Sequence, residues 1–285
     1  MTDYLTLLKE CSVCPRNCKI NRLKNELGFC GIGKNPKISS YNLHFGEELP
    51  ISGVNGSGTI FFTGCNLKCV FCQNYPISQL NNGNEVTIEK LADLMLSLQN
   101  QKAHNINLVT PSHVVPQIIE AVLIAKQKGL KIPIVYNTSG YDSVKTLKLL
   151  EGIVDIYMPD AKYSDKEMAK KYSNVPDYWE INKLALKEMY RQVGNLEIKN
   201  KIAVRGLLIR HLVLPDDISG SKKVFEFIAK EISPQAYISV MAQYHPANRT
   251  KEYAELERKI TQKEYSNVLG IVDKLNLTNG WCQEL

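Results

Sequence analysis

The chain has 285 residues, 44% hydrophobic and 22% charged, which suits one sizeable α/β core and excludes a disordered or fibrous protein. No apolar run is long enough to cross a bilayer, and no basic-then-apolar leader opens the sequence, so a cytoplasmic protein without a membrane partner is expected. The net charge of +6 is modest and spread along the chain, which reads as a solvated surface and makes nucleic acid an unexpected partner.

Cysteines grouped in a reducing compartment read as metal ligands rather than disulfides. The first group is Cys11-x2-Cys14-x3-Cys18-x11-Cys30, with Pro15, Gly28 and Gly31 supplying turns. Four thiols can close a complete site, so this N-terminal module reads as structural. Zinc and an auxiliary iron–sulfur cluster both take four Cys. Zinc is slightly favoured as the common use of a small, loop-rich, four-thiolate module; unliganded thiols are the bland alternative. Residues 32–58 are rich in Gly, Asn and Ser and read as short strands and turns. Gly53–Gly58 suggests a phosphate loop, but it precedes a strand and lacks the Lys-Ser/Thr ending, so it reads as a turn.

Thr59–Thr63 forms the first strand, and Gly64 breaks it. Cys65-x3-Cys69-x2-Cys72 follows, with Phe71 just before the third thiol. A 4Fe–4S cluster usually takes four Cys; three leave one iron open, as catalytic metal sites are. A molecule carrying an amine and a carboxylate can chelate that iron. Zinc loops favour Cys-x2-Cys pairs, which this triplet fits poorly. The loop resembles that of the radical S-adenosylmethionine superfamily. The resemblance implies a 4Fe–4S cluster and S-adenosylmethionine as cofactors, and a 5′-deoxyadenosyl radical that abstracts hydrogen. It also implies an electron donor such as flavodoxin or ferredoxin.

Strand-like and helix-like segments then alternate. Thr87 caps a helix carrying Ile88, Leu91, Leu94, Met95 and Leu98. A strand at Ile106–Val109 leads to a helix near Pro116–Lys128, stopped by Gly129. The third strand is Ile132–Tyr136, followed by a helix around Ser143–Leu150, and the fourth is Val154–Met158. Residues 164–195 read as two helices. The fifth and sixth strands are Leu207–Leu214 and Tyr237–Ala242, with a helix at Lys222–Ile232 between them. Thr261 and Glu264 fit a capping box near the C-terminus. Six strands alternating with helices imply a parallel sheet, too short for a closed eight-unit barrel. The expected fold is α/β, a partial (β/α)6 TIM-type barrel with a small Cys-rich module. Residues 1–58 are the module and lead-in, 59–246 the barrel, and 247–285 a helical extension.

Chemistry in such barrels sits at the C-terminal strand ends. Strand two ends at Thr110-Pro111-Ser112-His113, where many superfamily members carry Gly-Gly-Glu for the methionine amino group; Thr110, Ser112 or backbone carbonyls would take that role here. His113 reads better as a capping or packing residue than a catalytic one. Asn137-Thr138-Ser139 resembles the Asp-Thr-Asn segment of pyruvate formate-lyase-activating enzymes, with Asn137 in place of the carboxylate; a plain turn is the alternative. Asp160 and Lys162 resemble the Asp-x-Lys of that family and would meet ribose or a carboxylate, unless they form only a surface ion pair. Strand five places Arg205 and His211 on one face and Arg210 on the other, and one of Arg210 and His211 points inward. Tyr244-His245 resembles the family's Tyr-His, with His245 against the adenine. Thr110, Ser112, Asn137, Ser139, Asp160, Lys162 and His245 are thus the candidate cofactor-binding residues. Cys282 reads as an idle thiol rather than a ligand or hydrogen donor.

The order of these pieces resembles the pyruvate formate-lyase-activating-enzyme-like group, which implies an activase whose protein substrate is a glycyl radical enzyme. The same initiation could act on a small molecule, a peptide or a tRNA. From another class, a two-cluster electron relay would need no open iron.

Overall fold

The computed structural model describes residues 4–284. The N-terminal stretch carries short 3-10 turns and little regular structure before β1 (Lys37–His44). β1 pairs antiparallel with β2 (Ser57–Phe62), and β3 (Asn84–Glu85) pairs with the outer edge of β1. The parallel run continues through β4 (Ile106–Val109), β5 (Ile134–Thr138) and β6 (Ile156–Pro159). A short β7 (Glu197–Lys199) pairs antiparallel with β8 (Ile202–Leu212). β8, β9 (Tyr237–Met241) and β10 (Gly280–Cys282) complete the parallel run. The order is β10-β9-β8-β6-β5-β4-β2-β1-β3, and its two ends do not meet. The result is the open partial barrel expected of βα units too few to close.

The helices form where their apolar periodicity can cover the sheet. The helix Ile88–Asn100 buries Leu91, Leu94, Met95 and Leu98, and Thr87 Oγ1 accepts from the backbone N–H of Lys90 at its start. Val115–Gln127 is apolar around most of its surface and is mostly buried. Residues 164–195 hold two helices, Lys166–Ser173 and Tyr178–Val193. The capping box of Thr261 and Glu264 opens Gln262–Lys274. β2, β5 and β6 are buried nearly throughout, as strands covered on both faces must be.

Two differences from the sequence reading have physical causes. β10 lies in the stretch expected to be only helical; three residues without marked β periodicity carry little signal, and pairing with β9 supplies their order. The helix expected over Lys222–Ile232 is α-helical over Ser221–Phe227 and then widens into a π turn at Ile228–Ile232. The core is continuous across residue 58: Leu8, Val13 and Ile32 pack in the same buried cluster as Ile60, Leu108 and Tyr136.

Candidate active site

Six parallel strands deliver side chains to one cavity of about 400 Å3 at their C-terminal ends. Cys65, Cys69 and Cys72 follow β2; Thr110 follows β4; Asn137 and Ser139 come from the end of β5. Asp160 and Lys162 follow β6, Arg210 lies on β8, and Met241 and Gln243 come from the end of β9.

The cysteine loop is set by Gly64. Its φ of +75° suits glycine, and a Cβ there would lie 2.6 Å from the carbonyl oxygen of Cys30. The turn therefore needs glycine both for its conformation and for close packing of the N-terminal module. Leu67 N–H donates to Cys65 Sγ at 3.3 Å, Ser173 Oγ to Cys69 Sγ at 2.9 Å, and Cys72 Sγ lies 3.2 Å from Ser78 Oγ. Donors aimed at sulfur are the support a thiolate ligand requires. Burial pushes the Cys65 thiol up to about 12 and the Cys69 thiol up to about 11, each raised further by neighbouring thiols. Lys162 offsets part of this for Cys69. Among the described residues, no three His, Cys, Asp or Glu side chains close on one point as a single ion requires. Three thiols on a roomy cavity wall, with hydrogen-bond donors behind them and no fourth cysteine in the lining, fit a 4Fe–4S cluster with one open iron.

The same cavity wall carries a buried charge network. Arg210 Nε donates to Asp160 Oδ1 at 2.9 Å, and its Nη2 to Asn137 Oδ1 at 2.7 Å. Arg210 Nη1 reaches Glu47 Oε2 at 3.4 Å. Lys162 pairs with the other oxygen of Asp160. Burial opposes ionisation of Asp160, yet Arg210 and Lys162 together hold its carboxyl below the usual range. Burial outweighs Arg210 at Glu47 and raises that carboxyl. Glu47 also accepts from Asn107 Nδ2 at 3.0 Å and Asn137 Nδ2 at 3.4 Å. Thr110 has φ +61°, unusual for a β-branched residue, and its N–H donates to Asn137 O at 2.9 Å. Strain held by the surroundings is a recurrent feature of functional sites.

The other expected residues fall as follows. Ser139 lines the cavity, and its buried hydroxyl has no partner among the described residues. Ser112 stands behind the wall, 2.9 Å from the hydroxyl of Thr138. His245 is exposed at the rim, its Nδ1 3.1 Å from Gln73 Nε2, outside the cavity lining. Between Arg210 and His211, it is Arg210 that faces the cavity. His211 is buried on the other side, bonded to Ala161 O and Ser221 Oγ, and burial lowers it to about 4. His113 is a packing residue: its ring lies 2.8 Å from Thr63 O, its own carbonyl accepts from Arg22, and burial lowers it to about 3. A neutral imidazole therefore donates Nε2–H to Thr63. Cys282 is exposed on β10, outside the cavity lining.

Glu47 is the residue the sequence reading missed. It lies in an irregular turn 163 positions from Arg210, where no periodicity marks it. The Glu-Glu pair at 47–48 beside His44 was the only local hint.

The N-terminal cysteines form a second site. Cys11, Cys14, Cys18 and Cys30 line one small cavity together with Arg16, Arg22 and Phe29. Burial pushes the Cys14 thiol up to about 12, and the other three thiols add to it.

Comparison with known proteins agrees with this geometry. The family model described as Radical SAM superfamily matches residues 59–210, more than half of the chain. An uncharacterized protein of Methanocaldococcus jannaschii, MJ0674, is 33% identical over 279 residues, covering 95% of this chain and 76% of that protein. A second from that organism, MJ0808, is 22% identical and covers 83% of this chain and 70% of its own length. Among solved structures, the FeFe-hydrogenase maturase HydG from Carboxydothermus hydrogenoformans aligns with a TM-score of 0.53 at 13% identity, over 78% of this chain and 52% of that one. Streptococcus suis SuiB, bound to its precursor peptide SuiA, aligns with a TM-score of 0.51 at 12% identity, over 77% of this chain and 46% of its own. The chain thus spans about half the length of these two structures, and the likeness is one of fold.

Proposed function

This chain belongs to the radical SAM superfamily, and from that premise we propose that it cleaves S-adenosylmethionine reductively and abstracts hydrogen from a glycine of a partner glycyl radical enzyme. The observation that carries the radical chemistry is the wall of three supported thiols, with no fourth, in the cavity where the strand ends converge. Cys65, Cys69 and Cys72 would hold the cluster. Bound there, it would supply the one-electron reduction that cleaves the sulfonium of S-adenosylmethionine.

The chain's own residues bind and orient. Lys162, held by Asp160, presents a cation near Cys69, suited to a carboxylate beside the open iron. Asn137 and Ser139 offer hydrogen bonds for an amine or ribose. Gln73 and His245 meet at the rim, where an adenine ring would cross. The activase reading rests on the resemblance of Asp160-x-Lys162 and Tyr244-His245 to the activating-enzyme pattern. A ferredoxin or flavodoxin would serve as donor. The N-terminal cysteines are a second metal site in this reading.

A second substrate class is favoured by one observation. Glu47, Arg210 and Asp160 place both signs of charge in the cavity wall, the arrangement that reads a small polar molecule. The test begins with the anaerobically reconstituted, reduced protein. It is expected to produce 5′-deoxyadenosine, and Cys69→Ala is expected to lose that product. No cleavage with a verified cluster and a strong reductant would return the electron-relay reading. A protein-centred radical signal on a candidate glycyl radical enzyme separates the activase from the small-molecule enzyme.

A further inference from the structure

We propose that the hydroxyls of Tyr163 and Ser173 form a one-way donor chain onto Cys69 that raises the reduction potential of the cluster this cysteine would hold. The inference rests on the reading of Cys65, Cys69 and Cys72 as cluster ligands and is independent of what the radical acts on. Three observations carry it.

The first is closeness and burial. Ser173 Oγ lies 2.9 Å from Cys69 Sγ, and Tyr163 Oη lies 2.8 Å from Ser173 Oγ. Ser173 and Tyr163 are both 0% exposed, so water does not compete for either hydroxyl. The contacts to the other two thiols are longer, 3.3 Å from the Leu67 N–H to Cys65 and 3.2 Å between Ser78 and Cys72.

The second is the proton count. An iron-bound thiolate has no proton to give, so Ser173 must donate its single hydrogen to Cys69. Ser173 Oγ then has only lone pairs left, and Tyr163 must donate to it. Hydrogen bonds pointing one way polarise one another, most strongly where the dielectric is low. A reduced cluster carries one more negative charge than an oxidised one, so a fixed donor at sulfur favours reduction.

The third is the clamp that fixes the donor. Ser173 ends the helix Lys166–Ser173, 104 residues from Cys69. The residues on both sides of Cys69 grip that end: Lys68 N–H donates to Ser173 O at 3.3 Å, and Val70 N–H to Tyr172 O at 2.8 Å. Gln79 Nε2 and Asn248 Nδ2 donate to the carbonyl of Cys69 itself, at 2.8 and 3.2 Å. The Tyr163 ring stands edge-on to Phe71 and Tyr178, with centroids 6.4 and 5.6 Å away. The hydroxyls are therefore held at the sulfur by backbone and packing, and need no reordering when the charge beside them changes. Both act through Cys69 and are positioning residues.

The test uses the full chain, reconstituted anaerobically with iron and sulfide and titrated with reductant under electron paramagnetic resonance. The signal followed is the one that Cys69→Ala loses. Ser173→Ala is expected to lower the reduction equilibrium constant about tenfold, a fall of about 59 mV in midpoint potential for one electron. Tyr163→Phe keeps the Ser173 bond and removes its polarising partner, so a smaller fall of the same sign is expected. Tyr157→Phe removes another buried hydroxyl, one bonded to Gln192 Oε1 at 2.7 Å and outside the cavity lining, and is expected to leave the potential unmoved. A potential unmoved or raised in iron-loaded Ser173→Ala, or moved as far by Tyr157→Phe, overturns the proposal. Should Ser173→Ala fail to load iron, Tyr163→Phe decides it: a fall supports the chain, and an unmoved potential overturns it. Iron and sulfide content and 5′-deoxyadenosine formation by the unmodified protein are read separately. An absent cluster defeats the reading of the three thiols, whereas a cluster indifferent to Ser173 defeats this inference alone.

Discussion

Arg210→Met isolates the charge network of the cavity. The side chains of Arg210, Asp160 and Glu47 are 16%, 12% and 10% exposed, so solvent screens them little. Removing one partner of a buried pair costs about 3–5 kcal/mol, because the other charge is left uncompensated. Two features place this site at the lower end. Lys162 still pairs with Asp160, and Glu47, already raised by burial, can take up a proton once its cation is gone. A loss of about 3 kcal/mol is expected, a fall in Tm of about 5 °C for a chain of this size. Chemical denaturation of the metal-loaded protein at neutral pH measures it. Arg210→Met with Asp160→Asn should recover much of the loss, since the stranded carboxylate is removed as well. The pH dependence adds a sign. Asp160 has a folded pKa below its ordinary 3.8, so its stabilisation is present above 3.8 and is lost as pH falls through the lower folded value. In Arg210→Met that acid-side loss should shrink. A cost below about 1 kcal/mol, the range of exposed pairs, or a double variant no better than the single, would refute the reasoning.

Three further outcomes are expected. Gly64→Ala should cost at least about 1–2 kcal/mol from its left-handed backbone alone, and the approach to Cys30 O should lower iron content as well, read by metal analysis beside a melting curve. Glu47 has a raised folded pKa, so its contribution is present at low pH and lost as pH rises through the folded value. Glu47→Gln should therefore gain on the unmodified protein in urea midpoint at pH 8 relative to pH 5, and a constant difference would remove the buried-carboxylate argument. Iron uptake by Cys65 and Cys69 should strengthen and release protons as pH rises, because burial keeps both thiols protonated; uptake independent of pH, followed by visible absorbance, would contradict that.

The fold was legible where the period was strong. Ile106–Val109 and the capped helix after Thr87 were placed almost to the residue, because apolar alternation and a side-chain cap are local signals. The strand-end rule groups Asn137, Asp160 and Lys162 with the cysteine loop, and all of them line one cavity, since a parallel sheet aligns its C-terminal ends. What could not be read was pairing between distant residues. Period two divided Arg210 from His211 but could not say which face turned inward; β6 settles it by supplying Asp160 beside the guanidinium. Ser112 lay in the right turn, yet its hydroxyl bonds Thr138 behind the wall, a choice made by packing one rotamer at a time.

The N-terminal module shows why spacing alone left two metals open. Four cysteines at those intervals satisfy any four-thiolate centre, because ligand count is common to zinc and to a cluster. The groups that surround the sulfurs are held in place by partners from elsewhere in the chain. Arg22 is tied to His113, 91 residues on, and Arg16 to Asn66, 50 residues on. Both partners belong to the barrel, and Cys11 and Cys30 lie in the barrel's own core cluster. The module therefore packs as part of the barrel rather than as a bead on a linker. A substitution at Asn66 or Gly64 can accordingly disturb two sites at once, and a melting curve that followed both centres should show them released together.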